Sequence, residues 1–331
     1  MKAIRSRTLL GVGLVLVAAA SASAAPRTFV STLGSDANPC SLASPCRAFQ
    51  AAINAVDPGG EVVALDSGGY GTMIITKSVA VIVPPGVHAA ITANGVDGVN
   101  VNAAGISVVL RGLYLSGTGT NGIGIHFVQG ATLHVENCVV SGFTGNAYAG
   151  IYQDATGHMF VKDTIVRNNY NGIGVGPLAP GTASLDRVRV ENNSAGGIQA
   201  SGPSRVAVRD SVSAHNANFN FGAFAPNGAG VNTYLTIENS AAIGSEVGVT
   251  ASASGVTGGT AYVSFANSVA AYNTYGIVAN TMGVIVVANS TVTQSSIGLS
   301  YNAAGIVRSY GDNRFFNNTS NGTPTNTLAP L

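Results

Sequence analysis

The chain has 331 residues, with 15 Lys and Arg against 14 Asp and Glu, 43 Gly, no Trp and three Cys. Only 9% of the residues are charged and 46% are hydrophobic, which excludes a disordered chain and leaves no bulk positive charge for a nucleic-acid partner. Low charge, few aromatics and abundant Gly, Val, Ile and Ala point instead to short strands joined by tight turns.

Residues 1–24 read as an export leader. "MKAIRSR" is basic, "TLLGVGLVLVAAA" is apolar but short of the roughly 20 residues of a membrane span, and "SASAAP" supplies the small residues of a cleavage site after Ala24. No later segment is long and apolar enough to span a membrane. Without Lys2, Arg5 and Arg7, 12 basic side chains face 14 acidic ones, and the mature chain is expected to be secreted or periplasmic.

Residues 25–60 read as an N-terminal cap. Cys40 and Cys46 in "NPCSLASPC" are expected to form a disulfide in an oxidising compartment, since no further zinc ligands lie nearby. Ser44-Pro45 can open a short helix over "CRAFQAAINAV", with Phe49, Ile53 and Val56 on one face and "DPGG" as its stop. Such a helix would cover the open end of a stack.

Residues 61–318 repeat. Gly98, Gly122, Gly150, Gly172, Gly197, Gly222, Gly248, Gly276 and Gly298 each precede a short apolar stretch, at gaps of 22 to 28 residues. A second marker is an Asp or Asn ahead of a small residue and an apolar one: Asn137, Asp163, Asp186, Asp210, Asn239, Asn267, Asn289 and Asn313. Two markers with one uneven period indicate a repeat too short for two helices. Each unit reads as three short strands; in one coil these are "GIGV", "ASL" and "RVRV", with Val188 and Val190 inward and Arg189 outward. A coil cannot bury its own Ile and Val, so the coils must stack as a parallel solenoid, at about 4.8 Å per coil and roughly 40 Å for nine coils. The repeat glycines are expected at positive-φ corners. Asn168, Asn169 and Asn171 are expected in the turn, where an amide can bond its stacked copy. Cys138 alternates with apolar residues and reads as a buried thiol. Residues 319–331 form a Thr- and Pro-rich tail, with Phe315 and Phe316 placed to cover the last coil.

The stretches "FVSTLGSDANPCSLASPCRAFQAAINAV" and "GGEVVALDSGGYGTMIITKSVAVI", followed by the Gly-Ile coils, resemble the secreted bacterial right-handed parallel β-helix repeat proteins of the pectin-lyase-like superfamily, over about residues 28 to 318. The resemblance implies an all-β, single right-handed parallel β-helix of about 9–11 coils. It also implies that any enzyme of this kind works in a groove along one sheet, commonly on acidic polysaccharide, with clustered carboxylates for calcium plus a basic residue, or with paired carboxyls for hydrolysis.

No carboxylate cluster of that kind is visible, and the superfamily's Arg-Ile-Lys, Gly-His-Gly and Asp-Pro-His signatures are absent. The catalytic candidates are His126 and Asp154, at similar offsets from Gly122 and Gly150, with Tyr152 beside them; a His–Asp pair can act as a general base. His158 and Gln199 are further polar neighbours. Asp163, Asp186 and Asp210 read as one turn ladder interleaved with Lys162, Arg187 and Arg209, a structural charge ladder with calcium as the alternative. Otherwise no cofactor or metal is implied. Arg167, Arg187, Arg189 and Arg209 read as an outward stripe able to hold an acidic polysaccharide. Binding of polysaccharide or action at the cell surface without catalysis therefore leads. A polysaccharide lyase, epimerase or hydrolase with an atypical site, and a structural or adhesive stack, are the alternatives.

Overall fold

The computed structural model describes residues 25–329 except 120, 146–148, 227–229, 256–257 and 303. The leader, with its cleavage point, and the last two residues lie outside them. About ten coils stack into three parallel sheets of thirteen, ten and eleven strands. One coil runs from Asn171–Val175 in the ten-stranded sheet to Gly181–Asp186 in the thirteen-stranded sheet and Arg189–Glu191 in the eleven-stranded sheet. Each strand pairs in register with its copies above and below, as in Ile151↔Ile173 and Ile173↔Ile198. Inward positions form one continuous core, in which Ile173, Val188 and Val190 are buried. No helix among the described residues is long and apolar enough to cross a membrane.

The cap helix is shorter than its sequence pattern suggests, Phe49–Ala55. Cys46 is already committed to a bridge with Val30, so Ser44 and Pro45 stay outside the helix. The start is held by Asp36, whose Oδ1 accepts from the backbone of Arg47 and Ala48 at 2.8 Å each. Val56 belongs not to the helix but to the strand Val56–Ala64, which runs through "DPGG" and pairs with Ala25–Val30, so the cap is built into the thirteen-stranded sheet. At the other end Phe315 packs on the core, whereas Phe316 stays exposed.

The corners correct the expected role of glycine. Of the nine repeat glycines only Gly122 has positive φ. The left-handed residues are the second marker and its neighbours: Asn137, Asp163, Arg187, Asp210, Asn239, Asn267 and Asn289 at one corner, with φ between 41° and 52°. Asn168, Asn192, His215, Tyr272, Gln294 and Asn317 occupy the next corner, with Gly142 and Gly244 in line. Asn and Asp visit this region at least cost among residues with a side chain. The repeat glycines are needed for space. A Cβ on Gly172 would lie 2.5 Å from the carbonyl oxygen of Gly197 and would also strike Val190.

Beside most of the left-handed residues a buried polar side chain bonds the backbone of a neighbouring coil. Asn169 N donates to Asn193 Oδ1 (2.9 Å), Asn193 N to Asn216 Oδ1 (3.1 Å), Asn216 N to Ser245 Oγ (3.1 Å), and Ser245 N to Asn273 Oδ1 (2.9 Å). A second ladder at the other corner runs through Ser211, Ser240, Ser268, Ser290 and Asn313. These side chains give partners to backbone N–H groups that the turns remove from the sheets. Cys40 and Cys46 form the disulfide, and Cys138 is a free, buried thiol that burial pushes up to about 12.

Two outcomes are expected. Asn193→Ala should lower unfolding free energy by about 1–3 kcal/mol, because it strips a buried acceptor and donor from the ladder. Asn192→Gly, at the exposed left-handed neighbour, should stay within about 0.5 kcal/mol in the same denaturant titration. Alkylation of native protein followed by mass spectrometry should leave all three cysteines unlabelled, with Cys138 becoming labelled only in denaturant.

Candidate functional site

Stacking brings His126 and Asp154 together, as their offsets suggest, and adds a carboxylate that the offsets did not reveal. His126 lies in the strand Ile125–Gln129, between Asn100 in the coil before and Tyr152 in the coil after. Its Nε2 is 2.8 Å from Asp154 Oδ2, and its Nδ1 is 2.9 Å from Asp97 Oδ2. Asp97 sits in the turn ahead of the strand Val99–Asn102. It also accepts from Ile123 N and Asn100 Nδ2, at 2.8 Å each. The Tyr152 ring meets the imidazole edge-on, with centroids 6.2 Å apart, and extends across Gly174 toward Gly176. His158 and Gln199 do not join this cluster; His158 bonds Thr182 on the thirteen-stranded sheet, and Gln199 lies two coils beyond Tyr152.

Electrostatics fix this arrangement. Burial disfavours a charged imidazole, but the two carboxylates outweigh it and raise His126 above its usual 6.5. Burial likewise disfavours ionised Asp97, and the bonds from His126, Ile123 and Asn100 overcome it and hold the carboxyl below its usual 3.8. Burial and then Asp154 raise the Tyr152 phenol. An imidazolium between two carboxylates donates from both nitrogens, so neither carries a free lone pair.

The arginines do not form one stripe. Arg187 occupies the corner column with Asp163 and Asp210, while Asp186 falls in the neighbouring column between Lys162 and Arg209. The supposed carboxylate ladder is therefore interrupted by a guanidinium, which donates to Asp163 at 2.7 and 3.0 Å and to Asp186 at 2.8 Å. That bond holds the Asp163 carboxyl below its usual range. Arg189 pairs with Glu191 at 2.7 Å on the eleven-stranded sheet, and Arg209 lies 4.0 Å from Glu238. Arg167 stands in register with Glu191. Among the described residues, no group of three or more His, Cys, Asp or Glu side chains is arranged to hold a metal ion.

The outer face of the thirteen-stranded sheet holds a feature that the residue spacing did not show. Arg205, Tyr234 and Tyr262 are in register on successive coils. The Arg205 guanidinium lies over the Tyr234 ring at 4.5 Å, and Tyr234 stacks on Tyr262 with centroids 5.1 Å apart and planes 8° from parallel. Arg205 makes no ion pair among the described residues. It lines a cleft of about 470 Å³ with Leu178, Pro180, Pro203, Asn232 and Tyr234. On the same face His134 stacks on Phe160 at 4.7 Å.

The family described as right handed beta helix region matches residues 65–212 and 97–261, which together span more than half the chain, and the chain belongs to it. Among solved structures, the pectate lyase Pel9A is similar at 16% identity and TM-score 0.53, over 92% of this chain and 78% of that one. The A-module of the mannuronan C-5 epimerase AlgE6 of Azotobacter vinelandii follows at 12% identity and TM-score 0.48, over 91% and 87%. A GH136 lacto-N-biosidase from Eubacterium ramulus reaches 9% and 0.38, over 92% and 67%. At these identities the likeness is one of fold. No curated protein matches the sequence significantly.

The His126 cluster should show in the pH dependence of stability. A raised imidazole contributes stability that is fully present below about 6.5 and is lost as pH rises through its folded value; the lowered Asp97 contributes above about 3.8 and loses it as pH falls. The melting-temperature deficit of His126→Gln should therefore be largest at mildly acidic pH and shrink on the alkaline side. A deficit that is flat with pH would show that the ion pairs do not hold the turn.

Proposed function

We propose that this chain is an extracytoplasmic β-helix protein that binds acidic polysaccharide along the outer face of its thirteen-stranded sheet without cleaving it. The observation that carries this reading is the stack of Arg205 on Tyr234 on Tyr262. A guanidinium with no carboxylate partner among the described residues offers a donor fork to a uronate or sulfate, and flat rings beside it offer apolar faces to sugar C–H groups. Arg187, Arg189 and Arg209, by contrast, already face carboxylates, so a polyanion would have to compete for them. The fold likeness to a pectate lyase makes uronate polymers the first class to test. The disulfide fits a protein working outside the cytoplasm.

Two points support binding over turnover. Both nitrogens of His126 already face carboxylates, Asp97 and Asp154, so a substrate proton would reach the imidazole only if one of those contacts opened. The Asp163 column contains Arg187 where a calcium cage would need oxygen.

The test is retention on pectate and heparin columns. Arg205→Gln should elute well before wild type, whereas the quadruple Gln variant of Arg167, Arg187, Arg189 and Arg209 should shift less. Retention should collapse between 0.1 and 1 M salt, as the Debye length falls from about 10 to about 3 Å. Equal retention of wild type and Arg205→Gln would remove the proposed face. An early-eluting quadruple variant would return the function to the arginine stripe, and turnover of pectate or alginate lost in His126→Ala would favour the atypical enzyme.

A further inference from the structure

The outer face of the thirteen-stranded sheet carries a lane that runs across the coils. Ser184, Ala207, Thr236, Ser264 and Val286 stand in register on five successive coils, all at outward positions. These side chains are small, so the lane is shallow and its floor is level. Before Ser184 it is closed by Phe160, which is 38% exposed and stacks on His134. At the other end the next residue in the column is Arg308. One flank is the stack of Arg205, Tyr234 and Tyr262, which stand two residues earlier on the same strands as Ala207, Thr236 and Ser264. On the other flank Arg209 faces Glu238, followed by the neutral Ala266 and Ala288.

Among the described residues nothing balances the charge of Arg308. It makes no ion pair there, and its neighbours in register are Val286 and Asn326. Its Nε is buried without a hydrogen-bond partner, so the side chain lies down on the sheet instead of extending into water. The residue as a whole is half-buried, and its terminal nitrogens, not Nε, are what a ligand would meet. A guanidinium is always ionised, and one held on a surface without an acceptor keeps its fork for an outside anion. Arg205 is exposed and likewise makes no ion pair, and it stands four coils before Arg308, about 19 Å away. A polymer laid crosswise at Arg205, parallel to the strands, would meet Leu178, Pro180 and Pro203 on one side, with Leu178 99% exposed, and the Arg209–Glu238 pair on the other. Lengthwise the lane is open.

We propose that acidic polysaccharide lies lengthwise in this lane, across the coils, with one anionic group on Arg205 and another on Arg308. The Thr236 and Ser264 hydroxyls then face the sugar hydroxyls, and Tyr234 and Tyr262 line the flank. Arg308 sets a minimum length. A chain that cannot span about 19 Å reaches one guanidinium only, whereas a longer chain makes the second contact at high effective concentration. This role rests on the acidic-glycan face proposed above and adds to it a direction, a second anchor and a length threshold.

Titration calorimetry at low salt tests it, with galacturonate trimers and octamers and with heparin disaccharides and decasaccharides. In at least one series the long chain should bind more tightly than the short one. Part of such a gain is statistical, because a long chain offers a single site more registers. Arg308→Gln removes the other part: it should weaken the long chain about tenfold, the size expected for one charge-assisted contact, and leave the short chain as it is. Its melting temperature should not fall, since Arg308 Nε has no partner to lose. Arg205→Gln should weaken both lengths. Long-chain affinity unchanged in Arg308→Gln but reduced in Arg205→Gln would overturn the second anchor and leave the Arg205 face standing. An equal loss for short and long chains in Arg308→Gln would overturn the length threshold. Failure of both long chains to bind the wild type would overturn this proposal together with the acidic-glycan face.

Discussion

Everything in this molecule follows from one constraint: each residue on a strand lies about 4.8 Å from its counterpart in the next coil, in register. That spacing favours a side chain that can bond to a copy of itself, and it penalises one that repels its copy. Asn169, Asn193 and Asn216 meet the first condition, since an amide is both donor and acceptor and can hand a bond down the stack. The charges meet the second by alternating in sign. The glycines answer a related demand, that consecutive coils approach at the corner more closely than a Cβ allows.

The same constraint explains what could be read from the chain and what could not. Period, strand faces and core were legible because inward Val and Ile recur at every coil. The reason for the repeat glycines was not, because close backbone approach and positive φ select the same residue; only the geometry separates them. Asp186 lies one position out of the column although it resembles Asp163 and Asp210 in its local motif, because register is set by the strand before it, and there Arg187 stands in the column. Asp97 carries no spacing signal, because it precedes its strand by two residues and meets His126 29 positions away. Arg205, Tyr234 and Tyr262 are unremarkable in sequence, at spacings of 29 and 28, and become a stack only once loops of different length are absorbed between coils.

The two outer faces divide the chemistry. The thirteen-stranded sheet carries the aromatic stack and an arginine that makes no ion pair among the described residues. The ten-stranded sheet carries a carboxylate-flanked imidazole and a groove lined without a basic side chain. Tyr234, Tyr262 and His126 stand on strands, whereas Asp97 and Asp154 are held in the turns at the strand ends.

Arg111, Glu136, Lys162, Asp186, Arg209 and Glu238 stand in register on six successive coils, bounded by the neutral Ile82 and Ala266. Deleting one interior coil would bring two like charges face to face, and unit charges 4 Å apart repel by roughly 1 kcal/mol even in water. Deleting two neighbouring coils restores the alternation. This part of the chain therefore carries a parity rule: its length can change by pairs of coils at little electrostatic cost, but not by single ones. In a repeat architecture that otherwise tolerates any number of units, the sign of a charge acts as a counter.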